Sequence, residues 1–255
     1  MTNYDIKTIL DSIINNIKPE IFVKNDPVQI PHLFTKKEDI EIIAFLTSIL
    51  AWGNRKQIIK NAYNLLKILH NSPYNYIIQI TNKHKKEFNN FKHRTITGTD
   101  MFNFCITLKY IYTEHGGLEN IFLTPYLQYR NLKYSLQNCY NLFSSFIPDN
   151  HSLRHISNIN KNSAAKRLNL FLRWMVRKDF KKIDIGIWNN ISPSDLYIPL
   201  DVHVAFAARK LNLLNRKSND WIAVLELTNK LRQIDLTDPI KYDLALFEYS
   251  IKTKT

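Results

Sequence analysis

The run from Lys36 to Trp52, K-K-E-D-I-E-I-I-A-F-L-T-S-I-L-A-W, constrains the fold more than any other stretch. Its apolar residues occupy most of a helix's circumference, so this helix has to be wrapped by other elements and sit at the centre. The segment before it, K-N-D-P-V-Q-I-P-H-L-F-T, holds two prolines and reads as an entry loop. Thr35 with Glu38 three residues on reads as a capping box. Gly53 ends the helix, and a tight G-N-R turn leads into another over Asn54–Leu69.

The same periodicity predicts further helices. Residues 4–17 place Ile6, Ile9, Leu10, Ile13, Ile14 and Ile17 at helical spacing. Two short helices follow over 73–91, the second very basic, and then a basic loop over 91–100. Thr97 or Thr99 caps a helix over Asp100–Glu114, whose Phe102, Phe104, Tyr110 and Tyr112 read mainly as core packing. Residues 131–147 and 162–177 are helical, and the last helices run over 202–213, 217–233 and 238–251. Asp201, Ser218 and Asp238 are candidate caps, with Pro239 in a first turn. Between Arg177 and Asp201 lies a loop with one Gly and two Pro. The fold class is all-α. Its expected form is one two-lobed domain, with 36–160 as a central lobe and 1–35 with 161–255 as the second.

Composition narrows the function. Apolar residues make up 45 % of the 255, which argues against a disordered or fibrous chain. The net charge is +13, from 35 Lys and Arg against 22 Asp and Glu. A field of that sign raises on-rates for polyanions, so nucleic acid is the first partner to consider. Cys105 and Cys139 are the only cysteines and read as small core residues in a reducing compartment. Two cysteines cannot ligate an iron–sulfur cluster or a four-cysteine zinc site. The N-terminal stretch is amphipathic rather than signal-like, and no apolar run approaches the roughly 18–20 residues of a membrane span. The expectation is a cytoplasmic monomer that binds no membrane and needs no cofactor.

Chemistry concentrates between Asn162 and Leu211. At about 100° per residue, Lys166, Asn169, Arg173 and Arg177 fall on one stripe of the 162–177 helix, opposite Ala164, Leu168, Phe171, Leu172 and Met175. Neighbouring cations lower an amine's proton affinity, which suits a lysine to act as nucleophile. Asp201 starts the next helix, I-P-L-D-V-H-V-A-F-A-A-R. A carboxylate there both caps the helix and can stabilise a positive charge developing beside it. His203 two residues on gives only D-x-H, far short of a metal ligand set, and no metal is expected. Arg55 and Lys56, together in the N-R-K-Q turn at a helix start, are candidate nucleic-acid contacts.

I-P-L-D-V-H-V-A-F-A-A-R-K-L-N-L resembles the segment carrying the catalytic aspartate in helix-hairpin-helix DNA glycosylases. The segment E-D-I-E-I-I-A-F-L-T-S-I-L-A-W-G-N-R-K-Q-I-I-K-N-A is similar to the helix pair that builds their all-helical lobe. A-A-K-R-L-N-L-F-L resembles the helix whose start carries the nucleophilic lysine in bifunctional members such as endonuclease III and the archaeal 8-oxoguanine glycosylase. The resemblance implies base excision on double-stranded DNA, with Lys166 as Schiff-base nucleophile and Asp201 as the stabilising carboxylate. It implies nucleic-acid contacts from Arg55, Lys56, Arg167, Arg173, Arg177 and His203, and a base pocket lined by Trp52, Trp174 and Trp188. Two departures stand beside it. I-N-K-N-S-A-A-K replaces the glycine-containing hairpin, and the interval from Lys166 to Asp201 is long, so Lys178, Lys181 and Lys182 are rival nucleophiles. A non-catalytic DNA- or RNA-binding protein on the same fold is the alternative.

Overall fold

In a computed structural model the chain is all-α, and the structure describes residues 2–147, 149–179 and 181–254. The helices in order are α1 (Asn3–Asn16), α2 (Pro19–Lys24), α3 (Lys37–Leu50), α4 (Arg55–Ile68), α5 (Pro73–Gln79), α6 (Gly98–Glu114) and α7 (Leu118–Tyr129). There follow α8 (Leu132–Phe146), α9 (Asn150–Leu153), α10 (Lys166–Val176), α11 (Val202–Lys210), α12 (Trp221–Ile234) and α13 (Tyr242–Lys254). Short 3-10 turns link several of them. One two-stranded antiparallel hairpin, β1 (Lys92–His93) with β2 (Ile96–Thr97), interrupts the pattern in the basic loop.

α3 is central, as its composition requires. Every residue from Ile40 to Leu50 is buried, and the helix packs against α4, α5 and α10. Phe45 stacks on Phe143 of α8 and meets Phe171 of α10 edge-on, with ring centroids 5.2 and 5.4 Å apart. Aromatic pairs in this geometry are worth about 0.5–1.5 kcal/mol beyond the area they bury. The helix carries one carboxylate into the core. Glu41 accepts hydrogen bonds from Tyr112 Oη (2.6 Å) and Trp188 Nε1 (2.8 Å), and burial pushes its carboxyl above the usual range. Such pairing is what allows a polar group in a dry interior.

Several caps differ from the sequence reading. α3 begins at Lys37 with Lys36 as N-cap and no side-chain cap, so the Thr35–Glu38 box does not form. Asp220, not Ser218, caps α12 by accepting from Ala223 N at 3.1 Å. Thr97 and Asp100 form a reciprocal capping box at the start of α6. Asp238 precedes a 3-10 turn without capping it, because its carboxylate is engaged by Arg177.

The ends of the chain close on each other: α13 packs against α1 and α11. The loop after α10 folds back on that helix. Ile185 N and Gly186 N both donate to Trp174 O at 3.0 Å, and Trp188 N donates to Met175 O at 2.9 Å. The reversal needs a glycine, since Gly186 has φ +62° and a Cβ there would lie 2.7 Å from Arg177 O and from Lys178 Cα. Gly186→Ala is therefore expected to cost about 1–3 kcal/mol of folding stability, read as a lower urea midpoint.

Candidate active site

The site is built where α10 starts and α3 stops. Ala165 sits in the left-handed region (φ +48°) and turns the chain into α10, making Lys166 its first residue. The last carbonyls of a helix have no partner inside it. Lys166 Nζ donates to Ala51 O at 2.8 Å, and Arg167 Nη1 donates to Ile49 O at 3.2 Å. Two cations thus sit on the C-terminal end of α3, the end its dipole makes favourable for positive charge. Lys166 is half-buried. Its proton affinity is lowered, first by loss of water and also by the Arg167 charge, against the pull of Asp201, Asp243 and Asp26. Burial also brings Arg167 down, to about 10.

Asp201 caps α11, its Oδ1 accepting from His203 N and Val204 N at 2.9 Å each. Oδ2 has no hydrogen-bond partner among the described residues. Lys166 and Asp201 both line one cleft of about 1190 Å³. That exceeds the roughly 300–1,000 Å³ of a typical small-ligand pocket. Asp243, in the first turn of α13, lines the same cleft. It is ion-paired with Arg173 through Oδ2, while its Oδ1 is buried without a hydrogen-bond partner. Loss of water, with Asp201 beside it, pushes the Asp243 carboxyl up to about 6 although Arg173 opposes the shift.

The arginine stripe of α10 is not a phosphate-binding face. Arg173 and Arg177 are each 3 % exposed and are consumed by carboxylates. Arg173 Nε donates to Asp184 Oδ1 at 3.1 Å, and its Nη1 to Asp243. Arg177 holds Asp238 in a two-pronged contact (Nε–Oδ1 2.8 Å, Nη2–Oδ2 2.9 Å) and pairs with Asp184 through Nη1. Both guanidinium groups are therefore already neutralised, Arg173 at the cleft wall beside Asp243 and Arg177 behind it. The tryptophan expectation needs the same correction. Trp174 (0 % exposed) and Trp188 (1 %) belong to the interior, the latter tied to Glu41, and only Trp52 (43 %) lines the cleft.

Of the other expected contacts, Arg167, His203 and Arg55 line the cleft. Arg55 is committed to Asp26 (3.2 Å) and lies over the Phe247 ring at 4.1 Å. His203 faces Ser250 Oγ at 3.2 Å. Lys56 is exposed and lies outside the cleft lining. Among the lysines, Lys178, Lys181 and Lys182 are also outside that lining, and Lys181 donates to Asn15 O and Ile17 O near the end of α1. The structure adds Asp243, Asp26, Arg154 and His155 to the cleft. For Asp243 the one available signal was a carboxylate set into the apolar run Y-D-L-A-L-F.

Residues 26–252, from Asp26 of the cleft wall through most of α13, match a family described as "Protein of unknown function (DUF2400)". The chain belongs to that family. The matched span contains Lys166, Asp201 and Asp243 and leaves α1 outside. No curated protein and no solved structure matches the chain. Among the described residues no helix is long and apolar enough to cross a membrane.

Two measurements test the electrostatics. Asp184→Ala removes one carboxylate from each of two buried guanidinium groups, leaving Arg173 on Asp243 and Arg177 on Asp238. Removing one partner of a buried ion pair costs about 3–5 kcal/mol, which chemical denaturation reads directly. Asp243 titrates higher in the folded chain, about 6, than its ordinary 3.8. Its contribution to stability is therefore full below the lower value and lost as pH rises through the upper one. The stability of wild type relative to Asp243→Asn is expected to fall across that window, followed by denaturation midpoints at stepped pH.

Proposed function

We propose that this protein is a DNA base-excision enzyme, a glycosylase with lyase chemistry, on a degenerate helix-hairpin-helix glycosylase fold. One observation carries the reading: the amine of Lys166 and the carboxylate of Asp201, from separate helices, line one cleft. The all-α architecture is compatible with that fold. So is the approach to α10, which turns through Asn162 (φ +60°) and Ala165 (φ +48°). These left-handed positions are ones where glycine is usual, as expected of a hairpin that has lost its glycines.

The resemblance implies a chemistry that these two groups could carry. A damaged nucleotide is extruded from the duplex into the cleft, at an unstacking cost of a few kcal/mol. Lys166 Nζ, its proton affinity already lowered, attacks C1′ as the C1′–N bond breaks and the electron pair leaves with the base, which takes up a proton. Asp201 Oδ2 stabilises the positive charge that develops at the sugar. Ring opening with loss of a proton from nitrogen gives the Schiff base, and removal of the C2′ proton expels the 3′ phosphate. Trp52, exposed at the cleft and covered by the Arg94 guanidinium at 4.1 Å, is a stacking surface for a base. Lys56 and Arg154 are exposed cations available to phosphates.

Borohydride trapping on duplexes carrying an abasic site or one of a panel of damaged bases tests this reading. Wild type is expected to form a covalent adduct and Lys166→Ala none, while Asp201→Asn slows its formation about 10²–10⁴-fold, the range for a positioned charge or proton-transfer group. Circular dichroism establishes that each variant is folded. Wild type that binds duplex in a salt-dependent way yet traps on no lesion would overturn the catalytic reading in favour of a binding protein.

A further inference from the structure

A second cluster lies outside the excision chemistry, where α6 meets α9. Asp100, His151 and His155 bring one carboxylate oxygen and two ring nitrogens within 4.8 Å of one another. His151 Nδ1 lies 2.9 Å from Asp100 Oδ1, and His155 Nε2 lies 3.9 Å from Asp100 Oδ2. The second distance is too long for a hydrogen bond. His155 is 3 % exposed, and its Nε2 is buried with no hydrogen-bond partner. A buried ring nitrogen aimed at a carboxylate it does not touch is costly in a folded protein and calls for an explanation.

We propose that Asp100, His151 and His155 bind one divalent transition-metal ion of the zinc class. Ligands held about 2.0–2.1 Å from such an ion stand roughly 3.3 Å apart in a tetrahedral shell. The histidine nitrogens stand 2.9 and 3.9 Å from the two different oxygens of Asp100, and all three ligand atoms lie within 4.8 Å of one another, so side-chain rotations that draw them together close the shell. Two imidazoles and one carboxylate, with no thiolate, suit zinc, cobalt or nickel better than calcium or magnesium, which take all-oxygen sets.

The supporting contacts are those of an oriented ligand. Asp100 Oδ2 accepts from Thr97 N (2.7 Å) and Thr97 Oγ1 (2.8 Å), and Oδ1 accepts from Ser152 Oγ at 2.6 Å. One contact competes with the metal. Arg154 Nη2 lies 2.6 Å from His151 Nε2, which fixes the His151 proton on Nδ1 facing Asp100. Metal binding moves that proton to Nε2 and turns the exposed Arg154 side chain aside. Three protein ligands leave a fourth position open. Arg154 and His155 both line the large cleft, so the ion stands at its rim, where the open position takes water or an anionic oxygen such as that of a phosphate.

The experiment uses the untagged full chain, stripped with a chelator and titrated with zinc chloride by calorimetry. Cobalt chloride titrated in parallel is followed by its visible ligand-field bands. Wild type is expected to bind one ion per chain. His151→Ala and His155→Ala lose saturable binding, and Ser152→Ala weakens it about 10–100-fold. Arg154→Ala tightens it, an outcome that a merely structural arginine does not produce. His151 is exposed, so its variant keeps the metal-free fold even if His155→Ala does not. Wild type without stoichiometric heat or cobalt bands, or binding unchanged in His151→Ala, would overturn the site and leave Asp100 and His151 as an ordinary ion pair.

Discussion

Two buried arginines and three aspartates, of which Asp184 and Asp243 are buried and Asp238 half-buried, tie α10 to the loop that follows it and to the distant C-terminal region. Arg173 and Arg177 come from the last turns of α10, Asp184 from the loop that folds back on it, and Asp238 and Asp243 from the start of the C-terminal helix region. Taking several charges out of water costs several kcal/mol each, and that cost is offset only if every charge meets its opposite in good geometry. The requirement is severe, and it locates the loop and α13 relative to α10. The cleft wall is a by-product of this pairing. Because Arg173 holds Asp243 by one oxygen, the other is left at the cleft without a hydrogen bond, close enough to Asp201 for the two carboxylates to feel each other.

The opposite side of the cleft is set by simpler means. α3 is buried because no face of it is polar enough to meet water, and it ends inside the protein with carbonyls still to satisfy. The first two side chains of α10 satisfy them. Burial of the central helix and placement of the amine are therefore one event, and the sequence feature that most restricts the fold also fixes the candidate nucleophile.

Much of this was legible in the amino-acid pattern, for identifiable reasons. Helical periodicity found α3, α4, α6, α8 and α10, where apolar residues recur over several turns. It also put Asp201 at the head of α11, because a carboxylate directly before V-H-V-A-F-A-A-R is a strong local signal. α7 escaped because Pro125 lies inside it, and local propensity gives no warning that packing on α8 overrides a proline. The arginine stripe misled for a related reason. Periodicity reports that Arg173 and Arg177 share a face, not what that face meets; Asp184 comes from an irregular loop, and Asp238 and Asp243 are remote in sequence. Trp174 and Trp188 were likewise placed by aromatic chemistry when their surroundings are decided by long-range packing. Asp243 and the Asp100–His151–His155 group are assembled wholly by tertiary structure.

The carbonyl that grips the Lys166 amine belongs to Ala51, and the next residue along the chain is Trp52, the exposed indole at the cleft. A single peptide unit separates the anchor of the nitrogen from that ring. The Ala51 carbonyl and the Trp52 nitrogen share one planar peptide unit, so a single stretch of backbone sets the seat of the amine and the root of the exposed indole.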